Sequence, residues 1–289
     1  MPIPKTKKVK GFEIPTLGLG TWRMAGGARP DYSQDDKVFS AIRHALKLGY
    51  SHIDTAELYG SGHIEELIGK AIQEVDRRKL FITSKVLAEH LRYDDVLKAA
   101  EGSLKRLGTD YLDLYLIHFS NPGIPIAETM KAMDFLVKEG MMKFIGVSNF
   151  SMKQFKEAQA CSVNRLVASQ MEYNLTVRNK GKFTTNMESE MIPYCQKNEI
   201  IFMAWRPVGQ GALARPGNPL LDEMAAKYGK KQAQIAINWL VSKKNVVTMP
   251  MSVGHEHLKE NLGALDFALS AADIKRLDED FAPRDNFYG

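Results

Sequence analysis

The sequence predicts an α/β protein that folds as a single (β/α)8 barrel of the TIM type, with an N-terminal β-hairpin and extra C-terminal helices. Short apolar segments alternate with amphipathic helical segments about eight times, as in a parallel α/β protein. The strand segments are apolar at nearly every position, which is expected of strands buried on both faces. The 289 residues suit one barrel and no linker divides them, so we expect residues 1–289 to form one domain.

The chain begins with a predicted hairpin over residues 9–14, because Gly11 separates two short stretches of alternating character. Residues 17–20 are the predicted first barrel strand, and their glycines would let a ligand approach the backbone closely. Thr21 and Trp22 form the loop after this strand. Trp22 is therefore a candidate wall of a binding pocket.

The clearest repeating unit is a helix followed by a strand. Residues 35–48 predict a helix, since Val38 and Ile42 share one face and Gly49 follows the last turn. Residues 50–54 are the strand after it. The same patterns predict strands at 80–85, 111–118, 142–148, 166–170, 200–205 and 246–250, and helices at 62–72, 93–107, 126–139, 151–160, 186–197, 230–242, 255–262 and 271–279. A doubly wound open sheet is the alternative, but no Gly-x-Gly-x-x-Gly fingerprint follows the first strand.

The charge balance is basic, with a formal net charge of +5 and a pI near 9.0. Lys and Arg are spread along the chain and do not cluster with aromatic residues, so nucleic acid is not an expected partner. The one basic cluster is predicted to lie on a solvated hairpin and consists of Lys5, Lys7, Lys8 and Lys10. A basic enzyme with an anionic cofactor is the simpler interpretation.

Cysteine usage and hydropathy argue against several other classes. Cys161 and Cys195 are far apart and form no Cys-x-x-Cys motif, so neither a metal site nor a disulfide framework is expected. The first residues lack the apolar core of a signal peptide, and no apolar run reaches the length of about 18 residues that a membrane helix needs. We therefore expect a cytoplasmic protein without a membrane partner, as a monomer or small homo-oligomer.

Four polar side chains lie at or just after the ends of three successive predicted strands. Asp54 ends the first of these strands and Tyr59 lies in the loop after it, while Lys85 and His118 end the next two. Active sites of parallel α/β barrels are built at the carboxyl ends of their strands. Singly, each residue could be a cap, a surface group or a core residue, but together they predict one site.

Several short motifs occur in a fixed order along the chain. They are Gly18-Leu19-Gly20-Thr21-Trp22, Asp54 to Gly60, Ser84-Lys85, Asp110 to His118, Gly146-Val147-Ser148-Asn149-Phe150, and Ser252 with Glu260-Asn261. One alone would be weak evidence, because short motifs recur by chance. In this order and spacing, the chain resembles the aldo-keto reductase family over almost its whole length. The resemblance implies an NAD(P)H-dependent reductase of aldehydes and ketones to alcohols, working by reversible hydride transfer.

Carbonyl reduction needs a proton donor and a group that stabilises charge on the carbonyl oxygen. Tyr59 can be the donor, but a free phenol with a pKa of about 10 is a poor acid near neutrality unless a cation stabilises its anion. Lys85 supplies that cation, Asp54 keeps it charged, and His118 orients the carbonyl oxygen. These four residue types hold these roles in the family that the chain resembles.

The hydride must come from a cofactor, since no side chain donates it. The resemblance implies NADP(H) or NAD(H), held by Gly20, Thr21, Trp22, Ser148, Asn149, Gln170, Trp205, Arg206, Pro207, Gly209, Gly211, Leu213, Met251, Ser252, His257, Glu260 and Asn261. It places the nicotinamide amide against Ser148, Asn149 and Gln170, with Trp205 stacked on the ring. Contacts with the pyrophosphate are implied for the loop after Trp205.

The resemblance also implies a substrate pocket lined by Trp22, Tyr59, Leu87, Phe119 and, at its base, His118. Phe119 stands where many family members carry Trp, which predicts a wider pocket at this point. Residues 281–289 form a short tail compared with relatives whose long C-terminal loop covers the substrate. We therefore expect broad activity on aldehydes and ketones.

One departure from the family concerns the choice between NADPH and NADH. Many relatives carry Lys immediately before the serine that matches Ser252 and Arg five residues after it, and these cations hold the 2′-phosphate of NADP. Met251 and His257 occupy those positions here, while Ser252 and Asn261 remain to hold the adenosine end. We expect weak discrimination with NADH usable, and an imidazole that favours NADPH as the pH falls through about 6.5.

Two other functions stay open at the level of sequence. Lys85 could form a Schiff base with a carbonyl substrate, as in a class I aldolase. Alternatively, the chain could be a non-catalytic, cofactor-sensing subunit of a larger assembly. The sequence does not fix the physiological substrate, the favoured direction or the oligomeric state.

Overall fold

A computed structural model describes residues 3–179 and 186–281 of the chain. These residues divide into two compact units. The first unit comprises residues 19–170 and 251–255, and the second comprises the described residues of 1–18, 171–250 and 256–289. Residues 282–289 of the predicted short tail lie outside the described part of the chain.

The first unit is built from a parallel sheet and the helices that connect its strands. The strands run in chain order as β3 (Leu19–Gly20), β4 (His52–Asp54), β5 (Phe81–Val86), β6 (Leu112–Ile117), β7 (Met142–Ser148) and β8 (Leu166–Glu172), whose last two residues belong to the second unit. The helices are α1 (Asp35–Leu48), α2 (His63–Ile72), α3 (Tyr93–Leu107), α4 (Ile126–Lys138) and α5 (Met152–Ala160). All neighbouring strands in this unit pair in parallel, so their carboxyl ends share one edge.

Local signals explain why α1 begins and ends where the pattern predicted. The helix buries Val38, Ala41, Ile42 and Ala45, which recur at helical spacing. Gly49 ends it at φ 101°, a left-handed conformation that glycine adopts without steric penalty. Burying each large aliphatic side chain contributes roughly 1.5–3 kcal/mol, so burial of this face stabilises the helix within the unit.

The second unit contains the hairpin and the last strands. Strands β1 (Thr6–Val9) and β2 (Phe12–Pro15) are antiparallel, whereas β9 (Ile201–Trp205) pairs in parallel with β10 (Val246–Thr248). Thr248 also bridges in parallel to Leu17, which precedes β3. Helices α6 (Ile192–Lys197), α7 (Pro219–Tyr228), α8 (Gln232–Ser242) and α10 (Ala271–Glu279) belong to this unit, and α9 (His255–Leu262) continues into it from the first.

The structure corrects three of the local predictions. Helix α7 was not predicted; it is capped by Asn218 and buries only a few side chains. The predicted helix over 186–197 begins as a π-helical turn, Met187–Met191, before α6. Lys7 is not a solvated residue: its ammonium donates to the carbonyl of Val241 at 2.8 Å, and burial lowers its pKa.

Within the described residues, helices long and apolar enough to cross a membrane are absent. The same residues contain no cluster of three His, Cys, Asp or Glu side chains suited to a metal ion. Cys161 is exposed and Cys195 is buried, and both are free thiols.

Candidate active site

The carboxyl ends of β4 and β5 bring three of the four predicted polar residues into direct contact. The Lys85 ammonium lies 2.7 Å from the Asp54 Oδ2 atom, 2.7 Å from the Thr55 carbonyl oxygen and 3.1 Å from the Tyr59 hydroxyl. The Lys85 side chain is fully buried, and the other two predicted residues of this group are buried as well. The sequence predicted this cluster without the Thr55 carbonyl.

Strand register places Asp54 and Lys85 side by side. Asp54 pairs with Thr83, which lies two residues before Lys85 on β5 and therefore points to the same side of the sheet. The backbone NH and hydroxyl of Thr21 both donate to the Asp54 carbonyl, at 3.1 and 2.9 Å, and so fix the end of β4.

A tight turn presents Tyr59 to this cluster. Residues 60–62 are all left-handed, with φ of 56° at Gly60, 51° at Ser61 and 90° at Gly62. A Cβ atom on Gly60 would lie 2.9 Å from the Ala25 carbonyl oxygen, so the close approach of these two backbone segments requires glycine. The turn therefore holds the phenol by backbone geometry.

Burial and neighbouring charges act on Lys85 in opposite directions. Burial alone would lower its pKa, but the Asp54 carboxylate and the Tyr59 phenol outweigh it, so the pKa of Lys85 is raised. Lys85 is therefore a permanent cation at physiological pH. Its positive charge lies in hydrogen-bond contact with the phenol oxygen.

His118 follows β6 and faces Tyr59. The two rings are 5.7 Å apart in an edge arrangement, and Phe119 stacks on the imidazole at 4.9 Å. Burial, and then the charge of Lys85, lower the pKa of His118 well below its usual value, so the imidazole is neutral. Its buried Nδ1 atom has no hydrogen-bond partner among the described residues, and it is thus available to a ligand.

Gln170 has a contact that the sequence did not indicate. Its side-chain amide donates to the Asp54 Oδ1 atom at 2.7 Å, so both carboxylate oxygens are held, one by Gln170 and one by Lys85. The adjacent Asn149 donates to the Ser148 hydroxyl at 2.9 Å and to the His118 carbonyl at 3.1 Å. The three residues predicted to face a nicotinamide amide therefore lie in one hydrogen-bonded group with the site.

The predicted substrate residues of the first unit also gather near Tyr59. The Trp22 ring lies 4.9 Å from the Tyr59 ring. Leu87 follows β5 directly, and its backbone NH donates to the Glu57 carboxylate at 2.6 Å. Glu57 was not among the predicted site residues, although it lies inside the Asp54 to Gly60 motif.

The other predicted cofactor residues are divided between the two units. In the first, Gly20 pairs with Asp54, Met251 is 43% exposed and Ser252 interacts with Gly254. In the second, Trp205 ends β9, and Arg206 and Pro207 lead into the turn that contains Gly209, Gly211 and Leu213. Arg206 binds Glu172 at 3.3 Å, His257 lies 3.1 Å from Glu260, and Asn261 is buried.

The turn after β9 contains three consecutive left-handed residues. Gly209, Gln210 and Gly211 have consecutive φ values of 53°, 56° and 92°. The Gly209 and Gly211 NH groups donate to the carbonyl oxygens of Arg206 and Val208, both at 2.9 Å, and so hold the turn internally. The open space around the Gly211 Cβ position leaves this turn accessible.

Comparisons with known proteins agree with this architecture. The model of the Aldo/keto reductase family matches residues 16–280. The chain is 33% identical over 276 residues to the methylglyoxal reductase YeaE of Escherichia coli (strain K12), covering 94% of this chain and 93% of that protein. It is similar to the solved thermostable aldo-keto reductase Tm1743 in complex with the inhibitor epalrestat, with 44% identity, a TM-score of 0.88, and coverage of 94% of this chain and 98% of the other. It is also similar to the aldo/keto reductase from Klebsiella pneumoniae in complex with NADP and acetate, with 31% identity, a TM-score of 0.85 and 98% coverage of both chains.

The fold and these matches define a (β/α)8 oxidoreductase, which confirms the predicted fold class. The chain belongs to the aldo-keto reductase family and is an NAD(P)-dependent enzyme that reduces carbonyl groups. Neither the aldolase nor the non-catalytic binding subunit is favoured.

Proposed function

We propose that the protein reduces small aldehydes and ketones with a reduced nicotinamide cofactor, and that Asp54, Tyr59, Lys85 and His118 carry the reaction. The observation that supports this most directly is the contact of a buried, charged Lys85 with both the Asp54 carboxylate and the Tyr59 hydroxyl. A phenol bonded to a cation is a proton donor whose anion is stabilised when the proton leaves.

Each residue has one task in this proposal. Tyr59 donates its proton to the carbonyl oxygen as that oxygen gains charge, and Lys85 stabilises the phenolate that remains. Asp54, held on its second oxygen by Gln170, keeps Lys85 charged and aimed at the phenol. The neutral His118 donates a hydrogen bond that orients the carbonyl oxygen.

The residues fit a nicotinamide dinucleotide. Ser148, Asn149 and Gln170 offer amide and hydroxyl groups of both donor and acceptor type at the ends of β7 and β8. Contacts of the loop after Trp205 with the pyrophosphate, and stacking of Trp205 on the nicotinamide, stay predictions. When bound, the reduced nicotinamide supplies the hydride.

We further propose that the preferred substrates include 2-oxoaldehydes such as methylglyoxal, and that NADH is used as well as NADPH. The similarity to a methylglyoxal reductase supports the first part, and the exposed Met251 in place of a lysine supports the second. A steady-state panel of small and bulky aldehydes and ketones, run with both cofactors, tests both parts. A panel in which no aldehyde or ketone is reduced over multiple turnovers with either cofactor would contradict the proposal.

We also propose that the protein works in the cytoplasm as one functional domain, without nucleic-acid partners and as a monomer or small homo-oligomer. The spread of basic residues along the chain supports the absence of a nucleic-acid surface. Light scattering coupled to size-exclusion chromatography measures the assembly state directly.

A further inference from the structure

Glu57 is a buried carboxylate close to the candidate active site. One of its oxygens accepts from the Leu87 backbone NH at 2.6 Å, and its two oxygens lie 3.2 and 3.3 Å from Nδ1 of His90. Its own backbone NH donates to the Lys85 carbonyl at 3.3 Å. Glu57 therefore connects the loop that carries Tyr59 with the loop that follows β5.

Stability alone does not account for a carboxylate at this position. Burying an ionised group is unfavourable unless it is paired and hydrogen-bonded. An apolar residue of similar volume often gives equal or greater stability at such a site. The hydrogen bonds of Glu57 fix the positions of Leu87 and His90, and this positioning accounts for a carboxylate here better than stability does.

The segment that Glu57 holds is also held from its other side. Asn121 donates to the Ala88 carbonyl at 2.8 Å, and Asn121 lies two residues after Phe119 in the loop that follows β6. Between these two tethers, residues 88–90 form a short 3-10 turn that starts from Leu87. The loops that carry Tyr59, Leu87 and Phe119 are therefore joined by hydrogen bonds to fixed backbone atoms.

We propose that Glu57 is a positioning residue that sets substrate specificity: it holds Leu87 and His90 against the Tyr59 loop and so defines one wall of the substrate pocket. This inference rests on the proposed carbonyl reduction and adds a determinant of which aldehydes are accepted. Bulky aldehydes, which must contact the wall formed by Leu87 and Phe119, depend on Glu57. Methylglyoxal, which is small enough to bind beside Tyr59 and His118 alone, depends on it little.

The test compares Glu57→Leu, Glu57→Gln and Glu65→Gln with the wild-type enzyme. Glu65 is the matched control, since it is a fully buried carboxylate of the same unit that binds Arg106 and Ser84 and does not touch the loop after β5. The readout is the ratio of kcat/KM for benzaldehyde to kcat/KM for methylglyoxal. We expect Glu57→Leu to lower this ratio about tenfold or more, mainly through KM for benzaldehyde, because small misplacements of a binding group have effects of this size. Glu57→Gln keeps an oxygen for the Leu87 NH and should restore most of the ratio.

Each outcome has a definite meaning. A folded Glu57→Leu enzyme with an unchanged ratio overturns the inference, and so does a Glu65→Gln enzyme whose ratio falls equally. If Glu57→Leu does not fold, Asn121→Ala removes the second tether and must lower the same ratio, and an unchanged ratio in that variant also overturns the inference. A wild-type enzyme that reduces neither aldehyde contradicts the proposed function instead, so the two failures are distinguishable.

Discussion

The two ends of the same parallel strands carry polar clusters of similar composition. The clusters differ in how many of their hydrogen-bond donors and acceptors have partners within the protein. At the amino ends, the Asp113 carboxylate accepts from Arg77 at 2.8 Å, Lys143 at 3.0 Å and the Ile82 backbone NH at 2.9 Å. The Tyr111 ring lies between the two cations, 4.1 Å from the Arg77 guanidinium and 4.0 Å from the Lys143 ammonium. Arg77 also donates to the backbone carbonyl oxygens of Leu80 and Tyr111, both at 2.9 Å.

At the carboxyl ends, Asp54 and Lys85 form a comparable pair, but buried polar atoms around them lack protein partners. Among the described residues these include the His118 Nδ1 atom and the Thr55 hydroxyl. A cluster that only stabilises the fold satisfies its donors and acceptors internally, whereas a cluster that receives a ligand keeps some of them available. The criterion applies to the two clusters and not to every atom at each end, because the buried His52 Nδ1 atom at the amino end of β4 also lacks a hydrogen-bond partner among the described residues.

The largest expected effect is that of Tyr59→Phe at the carboxyl-end cluster. The substitution removes the proposed proton donor and keeps the ring that packs on Trp22, so turnover should fall about 10²–10⁴-fold. Cofactor affinity, measured by fluorescence titration, should change little. A variant that keeps more than half of the wild-type kcat, with hydride transfer shown to be rate-limiting, would remove Tyr59 from the mechanism.

Lys85→Met should lower turnover by a comparable factor, about 10²-fold or more, and also change the pH profile. Loss of the positive charge disfavours the phenolate, so the acid group that donates the proton should titrate at a higher pH. The alkaline decline of carbonyl reduction then moves to higher pH in the variant. Lys143→Met removes a cation beside Tyr111 at the opposite strand ends and should leave the profile unchanged. An unmoved profile in an active Lys85→Met enzyme would break the proposed link between Lys85 and Tyr59.

The amino-end cluster should respond in the opposite way. Asp113→Ala leaves Arg77 and Lys143 without their shared carboxylate, and breaking a buried pair of this kind lowers the free energy of unfolding by about 3–5 kcal/mol. The exposure of Lys143 places the effect toward the lower value. Urea denaturation measures this loss, while kcat per folded molecule should stay within about threefold of the wild type. A large fall in kcat at full folding would remove the distinction between the two ends.

The sequence predicted the features that depend on local signals and missed those that depend on contacts between distant residues. The bounds of α1, α3, α9, α10 and β7 match the predicted ranges, because caps and periodicity are local signals. Helix α7 was missed because its start at Pro219 follows a Gly- and Pro-containing stretch and its apolar face is short. The pairing of Gln170 with Asp54 spans 116 residues, so no local pattern carries it. The contacts of Glu57 were missed for the same reason, because its partners Leu87 and His90 lie in the loop that follows β5.

The smallest expected effect concerns the residues predicted to hold the adenosine end of the cofactor. Met251 is 43% exposed, and the Ser252 hydroxyl accepts from the Gly254 backbone NH at 3.1 Å. Met251→Lys adds a cation where many family members carry one, so the ratio of kcat/KM for NADPH to kcat/KM for NADH should rise roughly three- to tenfold, the range expected of an exposed charge-assisted contact.

His257→Arg should raise the same ratio of kcat/KM values by a similar factor. A guanidinium stays charged at every pH and can bind phosphate in a bidentate manner. In the wild type, His257 already lies 3.1 Å from the Glu260 carboxylate, which competes with a phosphate for the imidazole, so Glu260→Gln should also favour NADPH. A wild-type ratio that is already large would show that other cations, such as Lys259 or Arg206, select the cofactor.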